Sequence, residues 1–366
     1  TGRGAISAES IGGKVNVENT GSLTASGLDG AGIAARSGDW TWSESGSAVA
    51  FLGSSITVAN GGAISVNGDA GITAQSVGGT VTVSNTGKIE SSSFIDSAIQ
   101  AISGMWGHYS DGGREGFVEG SDVKVTNSGA ITAKSGTQSF DGITESFSGT
   151  GINAITTGAS TAEVVNSGKI TAASEALRAT AGDGGLAKIT NSGALTITGQ
   201  DGEIISASTR GAGQVEIHNT GALSAATAYS AGIAAEAGEN DGGSAQAREA
   251  GSRIRVTGSG SITMSGAGAS GINLYSADGT AKVDYSGDIR TTGKNSVGIQ
   301  GSGGRSVSVK TSGKVLAAGP DSYGIAAGVA EPGKEAATAS VTVGTGSLVS
   351  GGSGSRQFGV AKNDGD

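Results

Sequence analysis

The residues able to carry chemistry are few and poorly grouped. His108 lies three positions before Asp111, which places a base near an acid as in a Ser-His-Asp relay. Such a relay is defined by geometry rather than spacing. The chain nevertheless contains no Gly-Asp-Ser-Gly and no Gly-x-Ser-x-Gly segment, the settings in which proteases and esterases hold an activated serine. His218 follows Ile217 in the alternation Val215, Ile217, Asn219, so it is expected on the solvent face of a strand. The two histidines do not stand at metal-ligand spacing. There is no Cys, which removes disulfides, thiolate zinc sites and thiol catalysis.

Carboxylates fare no better. Sugar-cleaving chemistry on a solenoid needs two acids facing each other across neighbouring units. Asp278, Asp284 and Asp288 surround one turn and look like a solvated surface. The acidic run from Glu236 to Gly243 offers oxygens for a hard cation, but it follows neither the EF-hand spacing nor a Gly-Gly-x-Gly-x-Asp repeat. It is expected to be a solvated loop. Gly301-Ser302-Gly303-Gly304 follows a strand and precedes no helix, so it lacks the helix terminus a phosphate cradle requires. No catalytic residue, metal site or cofactor is assigned, and the chain is not expected to be an enzyme. A glycan-active β-helix enzyme is the chemical rival, to be tested by assay on polysaccharides.

The elements that would position any site come from an internal repeat. Asn-x-Gly recurs at Asn19, Asn60, Asn85, Asn127, Asn166, Asn191 and Asn219, and four degenerate copies end at Gly260, Gly287, Gly313 and Gly346. Two residues after the glycines stand Leu23, Ile64, Ile89, Ile131, Ile170, Leu195, Leu223, Ile262, Ile289, Val315 and Leu348. Before them stand pairs such as Val15/Val17, Val81/Val83 and Val307/Val309, whose period of two marks a strand with one buried face. A third strand usually opens Gly-Ile, as at Gly32-Ile33, Gly151-Ile152 and Gly324-Ile325. Each unit is therefore strand, Asn/Gly turn, strand, looser turn, strand. One unit cannot bury its own inner face, so the units must stack.

The fold expected is all-β: a right-handed parallel β-helix of eleven to twelve three-strand coils, a single solenoid over residues 1–366 and roughly 55 Å long. Asn19, Asn60, Asn85, Asn127, Asn166, Asn191 and Asn219 are expected to form a stacked ladder, with Asn also suiting a left-handed bend at the turn. Gly258, Tyr285, Thr311 and Gly344 occupy the next four places, so the ladder is expected to stop there. The last copy is one residue short before its glycine, at Val341 and Val343, so a bulge or distorted turn is expected.

Composition agrees with this. The chain has 366 residues, 69 of them Gly and 2 of them Pro, with only 4% aromatic residues. That is the balance of short strands and tight turns rather than of a large aromatic core. The formal charge is −9, without Lys/Arg clusters, so neither nucleic acid nor an anionic membrane is an expected partner. No apolar run is long enough to cross a membrane as a helix. The chain begins at Thr1 rather than Met and is taken as part of something larger.

The pattern Val-x-Val-x-Asn-Thr/Ser-Gly-x-Ile-x-Ala followed by Gly-Ile-x-Ala resembles the passenger region of bacterial type V secreted proteins, the autotransporters, with two-partner secreted adhesins as near relatives. The resemblance runs along essentially the whole chain. It implies export through the periplasm and outer membrane to the cell surface, and a membrane β-barrel elsewhere in the parent. It does not fix an activity, since passengers include adhesins, proteases, esterases and toxins.

Departures from the repeat fall at about 38–54, 104–120, 137–149, 236–251 and 330–338. All three tryptophans lie in the first two, and Phe51, Tyr109, Phe117, Phe140 and Phe147 lie in the first three. Insertions one and two leave at the same corner two coils apart, so their stems should stand about 10 Å from each other. Trp40, Trp42, Trp106, His108 and Tyr109 are either a small core that seats the loops on the rod or a patch for host protein or glycan. The functional expectation is an adhesin or adhesin stalk. The alternative is a structural spacer or filament repeat that self-associates through its open ends.

Overall fold

The computed structural model describes residues 4–353, except 27–29, 43–47, 69, 94–96, 107–116, 141–142, 148, 200–201, 240–250, 278 and 330–336. Every regular element among the described residues is a β-strand. Three sheets of 11 strands each run the length of the molecule, and successive strands of a sheet come from successive coils. A coil visits all three in order. In the opening coil these are Ile6–Ser10, Val15–Asn19 and Leu23–Ser26, and they define the first, second and third sheets. All pairings in these sheets are parallel, as a chain that always circles the same way requires. The protein is a parallel β-helix.

The sequence rows become physical rows. Leu23, Ile64, Ile89 and Ile131 are in register in the third sheet, and Ile33, Ile72, Ile99 and Ile152 in the first. In the second sheet Val15, Ile56, Val81 and Val123 stack the same way. All but Leu23 are buried, and they belong with it to one continuous core of Ile, Val, Ala and Leu. Each fully buried Ile is worth about 1.5–3 kcal/mol of burial, and it finds that burial only between two neighbouring coils.

The asparagines end the second-sheet strands, and their side chains turn inward. Asn19 Nδ2 donates to Asn60 Oδ1 at 2.7 Å, and the same bond links Asn60 to Asn85, Asn85 to Asn127, Asn127 to Asn166, Asn166 to Asn191 at 2.8 Å, and Asn191 to Asn219. The second Nδ2 proton goes to the carbonyl two residues on, as from Asn85 to Gly87 at 2.9 Å. Both protons of each amide are thus used inside a buried wall. None of these asparagines has a positive φ, so the expected left-handed bend is corrected. The side chain itself bridges the turn, and the left-handed residues Tyr229, Asn295 and Asp321 sit instead at the corner between third and first sheets. The turn glycines serve close approach: a Cβ on Gly87 would run into the Gly62 carbonyl of the coil before.

The last coil differs from expectation. Val309 pairs with Val341 and Thr311 with Val343, so that strand carries no bulge. The irregularity lies in the turn, which is two residues longer, and Val349 rather than Leu348 meets Val315. Leu348 is 51% exposed. The loss of Asn is not the cause, since Gly258, Tyr285 and Thr311 stand in that place in the three preceding coils and keep the short turn; here the longer turn passes through Gly346 at a φ of 82°.

Candidate functional site

Two of the insertions are built on one plan. The first-sheet strand Ile33–Ser37 ends in Ser37-Gly38 and opens into an antiparallel hairpin, Asp39–Trp42 with Ala48–Phe51. Two coils on, Ser97–Ser103 opens through Gly104 into Met105–Trp106 with Phe117–Val118. Gly38 and Gly104 have φ of 86° and 88°, and a Cβ on either would strike the returning strand at Phe51 O or Val118 O. Only glycine lets the chain leave the rod so tightly.

Serine closes each stem. The amide of Ser54 donates to Ser37 Oγ and that of Ser121 to Ser103 Oγ, both at 2.8 Å. Ser37 Oγ donates in turn to Gly13 O at 2.7 Å, and Ser103 Oγ to Gly79 O at 2.6 Å. Each hairpin is therefore clamped where it leaves and where it returns. Between the stems lies the plain corner Val77-Gly78-Gly79. Gly53 N donates to Val77 O at 2.7 Å, and a Cβ on Gly78 would lie 3.6 Å from Leu52 and 3.5 Å from Val118. The two stems thus flank one glycine. This Ser-Gly…Gly-Ser frame stands in the sequence at 37–38/53–54 and 103–104/120–121, and sequence reasoning passed over it because its glycines and serines merge with the many others.

In the backbone pairing, Trp40 faces Ala50, Trp42 faces Ala48 and Trp106 faces Phe117. His108, Tyr109 and Asp111 lie outside the described residues. Phe51, at the base of the first hairpin, is 44% exposed and Leu52 is 66% exposed. The third insertion leaves from the other corner, after Ile131–Ala133, as the hairpin Gly136–Phe140 with Ile143–Phe147. The fourth follows Ala231–Glu239, which pairs onward as a first-sheet strand.

The chain matches no protein-family model, no curated protein and no solved structure.

The other residues weighed for chemistry have ordinary settings. His218 is exposed, with Nδ1 3.0 Å from Thr257 Oγ1. Asp284 lies 3.7 Å from Lys310 Nζ, and Asp288 accepts the Lys314 amide at 2.9 Å. Among the described residues no three His, Asp or Glu side chains gather as a metal cage. Glu175 is a largely buried carboxyl. Burial pushes it above the usual range against the pull of Arg178, 3.4 Å away, and Glu203 adds repulsion.

Proposed function

We propose that this chain is part of an extracellular, surface-displayed passenger of the type V secretion class, acting as an adhesin or adhesin stalk. In this proposal the rod holds the hairpins 39–51 and 105–118 as a paired contact surface for a host protein or glycan. One observation supports it: both hairpins leave at the same corner two coils apart through the same Ser-Gly and Gly-Ser frame. Binding residues on loops held by a rigid scaffold are a recurrent solution for recognition.

The test is binding of the purified chain to cultured host cells and to a glycan array, with Trp42→Ala and Trp106→Ala combined. The expected result is loss of binding with an unchanged unfolding transition. Binding retained by the double variant would overturn the assignment.

A further inference from the structure

The outer face of the second sheet carries an ordered row of charge. Lys124, Glu163, Lys188 and Glu216 stand in register on successive coils. Their signs alternate. Glu163 lies 2.8 Å from Lys124 and 3.0 Å from Lys188, and Glu216 also draws on Lys188. Arg255 follows Glu216 in the same row and keeps the alternation. The next coil breaks it: Lys282 stands in register with Arg255, one strand spacing of about 4.8 Å away. Like charges directly opposite on a sheet repel. Arg253, two residues before Arg255, adds a third cation to the same face. All three are exposed, and none is in the ion pairs found among the described residues.

The surrounding sequence concentrates the effect. Residues 251–320 carry eight Lys/Arg against three Asp/Glu, within a chain whose formal charge is −9. The chain therefore does have a basic cluster, contrary to the expectation from its sequence. The cluster forms across coils, where residues 27 apart in sequence become neighbours. Beside it runs an open groove of about 190 Å³, bounded by Lys188, Thr190, Glu216, His218, Arg255 and Thr257.

We propose that this face, centred on Arg253, Arg255 and Lys282, binds an acidic polysaccharide laid along the rod. Anionic groups of the glycan fill the place that the alternation would have given to a carboxylate. Thr280, Ser306 and Ser308, in the neighbouring register positions, supply hydroxyls for sugar hydroxyls. A nucleic acid is disfavoured because the outward positions of strands Arg253–Gly258 and Thr280–Tyr285 carry no aromatic ring for a base to stack on. The face lies away from the hairpins, so its test is independent of theirs.

The experiment measures binding of the full chain to size-fractionated heparin oligosaccharides and to polygalacturonate, which separate sulfate from carboxylate as the anion. Oligothymidylate and neutral dextran are run beside them. The expected result is salt-sensitive binding to at least one acidic glycan, weakened at least about tenfold by R253E/R255E/K282E. The control K14E/K88E/K169E changes net charge equally, on other coils, and should leave binding within about twofold. The neutral pair R255Q/K282Q gives the same readout should the reversal variant fail to fold. Absence of glycan binding, equal weakening in the control, or tighter binding of oligothymidylate would each overturn the proposal.

Discussion

Asn219 and Tyr285 are 66 residues and two coils apart, yet Asn219 Nδ2 donates to Tyr285 Oη at 2.9 Å. The phenol donates onward to Gly260 O at 2.8 Å. The Asn row does end where the sequence puts Gly258 next, but it ends in a plug. A long side chain from the second coil reaches back across a coil that has no side chain in the row. Gly258 makes this possible, since a Cβ there would strike Asn219 O and approach the Tyr285 ring to 2.9 Å.

Tyr285→Phe should therefore be costly for a change of one oxygen. It strands a buried N–H of Asn219 and a carbonyl of Gly260, at about 1–3 kcal/mol. Urea unfolding should show the loss, and hydrogen exchange should show it concentrated near Asn219. Wild-type stability in the variant would disprove the plug.

Stability should also fall at high pH for a reason traceable to this ring. Burial pushes the Tyr285 phenol up to about 12, with the Asn219 hydrogen bond opposing. In the unfolded chain a tyrosine ionises near its ordinary value of 10.0. Between these values the unfolded state has lost the proton and the folded state has kept it, so stability present below pH 10 drains away as pH rises towards 12. Ultraviolet titration should find the Tyr285 phenol ionising late, in a phase that Tyr285→Phe removes. A titration curve that the substitution leaves unchanged above pH 10 would contradict this.

Asn127→Ala removes one rung from the middle of the row. Asn85 loses its acceptor, while Asn166 Oδ1 and Gly129 O lose their donor. A cost of about 2–4 kcal/mol is expected, against almost none for the exposed Asn16→Ala. Equal effects of the two in thermal unfolding would sink the claim that the row stabilises the rod.

Ser103→Ala opens the stem of the second hairpin. The Ser121 amide and Gly79 O lose their partner, so the effect should be local: faster exchange of the Ser121 amide and faster proteolysis within 105–118, with the Asn rows unchanged. Ser37→Ala should do the same to the first hairpin through Ser54. Unaltered exchange at these amides would show that the serines do not hold the stems.

The rod was legible because its rows are one-dimensional: a fixed offset from a glycine is enough to place Ile64 on Ile89. Leu348 failed that rule because the final turn has two extra residues between Val343 and the next strand, which moves Val349 opposite Val315. Tyr285 was visible as an interruption but not as a plug, since its partner is two coils away. The Arg253, Arg255 and Lys282 cluster was hidden because reading along the chain separates what stacking joins. The hairpins were placed by their length, and their clamps were missed among ordinary Ser and Gly.

The six amide bonds from Asn19 to Asn219 all run in one sense, each nitrogen giving to the next oxygen. Their dipoles add rather than cancel, so the wall of the rod is an electrical arrow with its negative tip at Asn19 Oδ1 and its positive tail pressed against a phenol oxygen. A stack of this kind has a direction. Its Asn219 end is closed by Tyr285 Oη, and at its Asn19 end Oδ1 takes the Gly21 amide at 3.2 Å instead of another asparagine.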